Sequence, residues 1–275
     1  MKQTCTICPR KCVLEEGQTG FCRARENRDG KVVCGNYARV TALSLDPIEK
    51  KPLKRFFPGT RILSVGSYGC NLACPFCQNS DISMANEKSV DWRIISPEEL
   101  VAQAEQLKSA GNIGIAFTYN EPLVGYEYVL DTARLAKQRE LKTVLVTNGS
   151  ILPEPWLELL PFIDAANIDL KAFTEEGYRS LGGDLETVKT AIALAAERIH
   201  VEVTSLIVPG LNDDENEMRA EAKWLKALPG GVALHISRYF PMYHQRDGAP
   251  TPLGTIDKLV ETARQYVPNV YRGNC

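Results

Sequence analysis

The chain has 275 residues, of which 44% are hydrophobic and 24% charged, with a net charge of −2. This is ordinary globular composition, enough for one large domain with a small appendage. No apolar run approaches the ~18–20 residues of a membrane span, and the opening MKQTCTICPRKC lacks the apolar stretch of a signal peptide.

A cytoplasmic location is therefore expected. In that reducing compartment nine cysteines read as metal ligands or catalysts before they read as disulfides. Charge is uneven along the chain: residues 1–60 carry 12 Lys/Arg against 6 Asp/Glu, and the remainder 20 against 28. A basic head of this kind suits a docked partner or a nucleic acid. With no long Lys/Arg run and a pI near 6, it reads instead as lying against its own acidic body. No nucleic-acid or membrane partner is expected.

Taken in order, residues 1–60 are short of helical period and rich in Cys, Gly and Arg. They are expected to form a small N-terminal module, joined to the rest through LDPIEKKPLKRFFPG. Cys5, Cys8, Cys12 and Cys22 stand at short spacings typical of structural zinc or a second cluster. In a module this small a metal can substitute for core area. Cys34 is a spare thiol, and Cys275 ends the sequence.

From residue 61 to 275 a strand–helix beat sets in. Apolar, β-branched runs at 62–67, 113–118, 143–148, 165–170, 200–208 and 233–240 suit strands buried on both faces of a parallel sheet. Helical patterns at 97–111, 126–141, 154–162, 185–198, 215–228 and 255–267 follow them. Ser96 before Pro97 and Glu98–Glu99 is a helix start, with Gly111 as the stop. Six βα units imply right-handed crossovers and an α/β fold, a partial (β/α)6 barrel of the TIM type, since eight units would close. In such folds chemistry sits at the C-terminal strand ends. Segments 68–79, 119–122, 147–149, 169–171, 209–213 and 241–244 are therefore expected to converge.

The first of these, YGCNLACPFCQN, holds Cys70, Cys74 and Cys77 within eight residues. Gly69 permits a tight turn and Pro75 restricts the loop. Three soft thiolates suit an iron–sulfur cluster or zinc, and three reduced structural cysteines are the remaining reading. A 4Fe-4S cube held by three cysteines leaves one iron open, and an open position is what chemistry needs.

C-x3-C-x2-C with Phe76 before the last cysteine resembles the signature of the radical S-adenosylmethionine superfamily. The resemblance implies that the amino and carboxylate groups of S-adenosylmethionine chelate the open iron. Reductive cleavage then gives methionine and a 5′-deoxyadenosyl radical, which takes hydrogen from a substrate. TYNEP (118–122) is similar to the Gly-Gly-Glu-Pro turn that holds the methionyl amino group. Glu121 matches its carboxylate, while Tyr119 and Asn120 replace the two glycines. IDLK (168–171) resembles the Asp-Leu-Lys of glycyl-radical-enzyme activases, which implies that Asp169 and Lys171 face the cofactor. VTNG departs from the activase pattern, with Val146 in place of an acid, and leaves Asn148 as a polar contact. VPGLND (208–213) looks like the turn that meets adenine and ribose and brings in Asn212; its plainer reading is a Pro-Gly turn with Asp213 capping a helix. PMYH (241–244) resembles a Pro-Tyr-His stretch of the activases, which adds His244. His235, inside the sixth strand, reads as a hydrogen-bonded core histidine.

The whole pattern closely resembles the radical enzymes of the AmmeMemoRadiSam gene set, related to pyruvate formate-lyase activating enzyme. Members of that group are expected to continue into a short Cys-x2-Cys tail, so the ending at Cys275 reads as a short member or a cut chain. The function expected is hydrogen abstraction from a glycyl residue of a partner protein, with flavodoxin or ferredoxin as reductant. Radical modification of a small molecule, peptide or RNA is the second reading, and a non-catalytic metal scaffold the third.

Overall fold

The computed structural model describes residues 1–275. Its centre is one eight-stranded sheet. In chain order the strands are β1 (Ala42–Pro47), β2 (Arg61–Gly66), β3 (Asn112–Phe117), β4 (Lys142–Thr147), β5 (Ala165–Asp169), β6 (His200–Ile207), β7 (Ala233–Arg238) and β8 (Val270–Gly273). The spatial order follows the chain order from one edge to the other. β1 is antiparallel to β2, and every later pair is parallel. Because each strand lies beside its predecessor, right-handed crossovers put all the helices on one face and curl the sheet toward a barrel. β1 and β8 do not pair, so the barrel stays open.

All six expected strands are present, buried nearly throughout as strands covered on both faces must be. The six expected helices are α1 (Pro97–Gln106), α2 (Tyr126–Gln138), α3 (Pro153–Leu159), α5 (Leu185–Ala196), α6 (Glu215–Ala227) and α7 (Leu253–Arg264). A short α4 (Glu175–Ser180) was not anticipated. α1 opens on a capping box, in which the Glu99 amide donates to Ser96 Oγ at 3.2 Å and the Ser96 amide to Glu99 Oε2 at 2.8 Å. It ends at Gln106, and a 3-10 turn carries the chain to Gly111. β1 and β8 also escaped the sequence reading. Edge strands with mixed burial carry little hydrophobic periodicity, and only their neighbours define them.

The stretch expected as a connector closes the bottom of the barrel. Ile48, Leu53 and Phe56 pack against Ile62, Ala116, Val144 and Ala165 in a separate small core. Glu202 of β6, fully buried, accepts from the amides of Lys54 at 3.0 Å and Arg55 at 2.8 Å. His235 and His200 reach the same carboxylate at 2.6 and 2.9 Å, so His235 is indeed a hydrogen-bonded core histidine. The helices cover the outer face over a core of 52 buried residues.

The N-terminal residues form short antiparallel ribbons, Gln3–Thr4 with Val13–Leu14 and Arg25–Arg28 with Lys31–Cys34. A third, Arg39–Val40, pairs with Arg93–Ile94 beyond the cysteine loop. Arg25 grips Glu127 of α2 through two 2.7 Å bonds, and Arg39 pairs with Glu87. The basic head thus lies on acidic residues of its own body. No helix is long and apolar enough to cross a membrane.

Candidate active site

The loop after β2 takes its shape from one glycine. Gly69 has φ +92°, and a Cβ there would stand 2.4 Å from the carbonyl oxygen of Cys22. The N-terminal module and the cysteine loop therefore touch backbone to backbone. Beyond Gly69 the loop folds back, with the Cys77 amide donating to the Cys74 carbonyl at 3.2 Å and the Ala73 amide to the Leu181 carbonyl at 2.9 Å. Cys74 is buried and Cys70 and Cys77 half-buried. Phe76 lies edge-on to Tyr239, ring centroids 6.2 Å apart. Burial pushes the Cys70 and Cys74 thiols up, with Lys171 pulling Cys74 the other way.

These three cysteines and Phe76 line a cavity of about 350 Å³ to which the strand ends contribute: Tyr119, Asn120 and Glu121 after β3, Asn148 after β4, Asp169 and Lys171 at the end of β5. Ser237 of β7 and Asn274 after β8 complete the far wall, and Lys50 and Pro52 of the bottom segment also reach it.

Glu121 is buried and accepts three hydrogen bonds, from Thr147 Oγ1 and the Asn148 amide at 2.7 Å and from the Leu123 amide at 3.0 Å. Burial pushes its carboxyl up to about 7 despite those donors, and Asp169 adds to the rise. Lys171 pairs with Asp169 at 2.9 Å. Burial opposes its charge, but Asp169 and Cys74 more than offset this and hold the ammonium above its ordinary range. Asn148 donates to Asn71 Oδ1 at 2.8 Å and approaches Cys70 Sγ at 3.6 Å.

The residues standing where the resemblance has two glycines serve as fasteners. Asn120 accepts from the Ser67 amide at 2.9 Å and donates to the Gly69 carbonyl at 3.1 Å, tying β3 to the cysteine loop. Tyr119 takes φ +74°, and its hydroxyl donates to Asp46 at 2.6 Å. Burial and Asp46 push that hydroxyl up to about 12. Lys51 donates to the same Asp46 oxygen, Oδ2, at 2.9 Å.

Two expected site residues stand apart from the cavity. Asn212 is buried and saturated: it donates to the carbonyls of Lys171 at 3.0 Å and Leu206 at 2.9 Å, and accepts from the Val208 amide at 2.8 Å. It holds the β6 turn against the Lys171 peptide. His244 is exposed, its ring against Tyr243, and only its amide meets the cysteine loop, donating to the Pro75 carbonyl at 2.9 Å. The helix α6 is capped by Asp214 rather than Asp213, which instead accepts from the Gly210 amide at 2.9 Å. The Asx side chain nearest the helix start wins the cap because it alone reaches the Asn216 and Glu217 amides.

Sequence reasoning missed Asn71, whose Nδ2 donates to the Ser150 carbonyl at 2.8 Å while its Oδ1 receives Asn148. It also missed Asp46 and Lys51. Asn71 follows Cys70 directly, the one signal that marked it; Asp46 carries none. At the N-terminus, Cys5, Cys8, Cys12 and Cys22 line one small cavity, while Cys34 stands apart with its thiol on Asn36.

Comparison with known proteins agrees with this geometry. Residues 64–224, more than half the chain, match the family model "Radical SAM superfamily". An uncharacterized protein of Methanocaldococcus jannaschii is 39% identical over 276 residues, covering 99% of this chain and 81% of that protein. The pyruvate formate-lyase-activating enzyme of Clostridium pasteurianum is 29% identical over 190 residues, 66% of this chain and 76% of the enzyme. Among solved structures, Streptococcus suis SuiB bound to S-adenosylmethionine superposes with a TM-score of 0.61 at 14% identity, over 78% of this chain and 52% of that one; at that identity the likeness concerns the fold. With its three-cysteine loop at the mouth of an open parallel barrel, the chain belongs to the radical SAM superfamily.

Proposed function

We propose that this protein reductively cleaves S-adenosylmethionine at a 4Fe-4S cluster held by Cys70, Cys74 and Cys77, and abstracts hydrogen from a glycyl residue of a partner protein. One observation supports the reading above all others. The three thiols and the Asp169–Lys171 pair line the same cavity at the C-terminal mouth of the barrel. Three soft thiols with no fourth protein ligand fit such a cluster, and the Asn148 amide beside Cys70 supplies a donor to sulfur. Held by these three cysteines, such a cluster would supply the electron for reductive cleavage of S-adenosylmethionine.

The chain's own residues hold and shield the cofactor. Lys171, oriented by Asp169, meets the methionyl carboxylate as a charge-assisted donor. Glu121 has about four acceptor sites as a carboxylate; three are taken by Thr147, Asn148 and Leu123. The remaining site suits the methionyl ammonium. A cation there would stabilise the ionised form and offset the burial that raises Glu121. Leu72, Phe76 and Leu206 face the same cavity with apolar surface, which limits water and stray hydrogen donors. The glycyl target is supported by the 29% identity to an activating enzyme over two thirds of the chain. A flavodoxin or ferredoxin is the reductant this chemistry calls for.

The test is anaerobic. Reconstituted, dithionite-reduced protein with S-adenosylmethionine is assayed for 5′-deoxyadenosine by mass spectrometry, beside Cys74→Ala. Product from wild type alone upholds the reaction class, and none from either with a full cluster refutes it. A glycine-centred radical on a purified partner, abolished when that glycine is replaced, upholds the activase reading. Product without such a radical moves the substrate to a small molecule, peptide or RNA.

A further inference from the structure

We infer that Cys5, Cys8, Cys12 and Cys22 form a second, closed thiolate metal centre that braces the cysteine loop of the active site. The four residues come from two separate turns, yet all four line one cavity of about 10 Å³, room for a single water-sized atom. No substrate fits there. Four thiols around one small cavity are the donor set of a structural centre, as three around a large cavity are that of a reactive one.

Two further observations point to a ligand. Arg25 lines the same cavity beside Cys5 and Cys22, and its buried Nε–H has no hydrogen-bond partner. A centre of four thiolates and a divalent metal carries a net charge of about −2. Arg25 binds Glu127 through its two terminal nitrogens, which leaves its unpartnered Nε to face that charge, with Arg10 on the same wall. Finally, positive φ at Lys11 (42°) and Arg23 (65°), each next to one of the four cysteines, is backbone strain retained at a point where a bound metal would hold the turn.

As they stand, no three His, Cys, Asp or Glu side chains surround a common point as ligands of one ion do. The same is true of Cys70, Cys74 and Cys77. Both sets must close in as metal–sulfur bonds form, each thiol giving its proton to solvent, with zinc or with iron and sulfide supplying the positive charge.

The centre is coupled to the active site through short contacts. Arg10 donates to the Asn71 carbonyl at 2.8 Å and to the Gly182 carbonyl at 2.6 Å. Asn71 lines the same small cavity as Cys8, and its side chain accepts from Asn148, which lies beside Cys70. Cys22 is in backbone contact with Gly69.

The test separates this centre from the reactive one by removing the latter. The Cys70→Ala, Cys74→Ala, Cys77→Ala triple variant is purified, reconstituted in one arm with zinc and in another with iron and sulfide, and its metal and labile sulfide are measured. Zinc at one equivalent per chain, or iron with sulfide, upholds the centre and says which metal fills it; no tightly held metal in either arm overturns it. Chelation of the loaded triple variant should lower its melting temperature by several degrees, and an unchanged melting temperature would remove the bracing role. Adding Cys5→Ser and Cys22→Ser should abolish metal retention. The readout is metal content, so it succeeds or fails independently of S-adenosylmethionine cleavage.

Discussion

Replacing Glu202 with Gln tests the bottom closure of the barrel. The carboxylate is fully buried and takes two backbone amides of the closing segment and two histidines between 2.6 and 3.0 Å. Burial opposes its charge, but the four donors outweigh burial and hold it at about 2 against an ordinary 4.5. That depression corresponds to ~3 kcal/mol of folding stability. A carboxyl lowered on folding contributes fully above its unfolded value and loses its contribution as pH falls through the folded one. Glu202→Gln should therefore cost ~3 kcal/mol at pH 7, about 6–12 °C in melting temperature for a chain of this size. The deficit should shrink between pH 4.5 and 2. Urea unfolding of both proteins at pH 7, 5 and 3 measures it. Equal midpoints at pH 7, or a deficit unchanged at pH 3, would refute the account.

Glu121 has the opposite sign. Its carboxyl, raised to about 7, contributes stability below 4.5 that is lost as pH rises through 7; Glu121→Gln should flatten that decline in the unliganded protein, as read by melting temperature against pH. Lys171→Met removes one charge-assisted contact, worth ~1.5–3 kcal/mol, and should weaken S-adenosylmethionine binding by roughly 10- to 100-fold in calorimetry while the protein stays folded. Gly69→Ala places a Cβ 2.4 Å from the Cys22 carbonyl at φ +92°, so it should cost at least ~1–3 kcal/mol. Its iron content should fall too, and wild-type iron and stability together would contradict the close packing of the two thiol-bearing segments.

What the sequence determined by itself is local or periodic. Strand runs such as 113–118 and 143–148 are legible because burial on both faces demands uninterrupted apolar residues. The Ser96–Glu99 cap is legible because its partners are three residues apart. The loop Cys70–Cys77 is legible because three cysteines within eight residues stand out by type and spacing alone. Tertiary structure decided whatever needs a partner far along the chain. β1 and β8 exist only through the strands beside them. Lys54 and Arg55 close the barrel only because Glu202, nearly 150 residues on, accepts their amides. Asn212 and His244 look alike in sequence, polar residues after a strand, yet one is buried and saturated and the other exposed. Tyr119, where the pattern expects glycine, keeps a left-handed backbone while its hydroxyl is held by Asp46 of the edge strand β1, two strands away. Burial and hydrogen-bond partnership are properties of the closed barrel, and residue type and spacing cannot carry them.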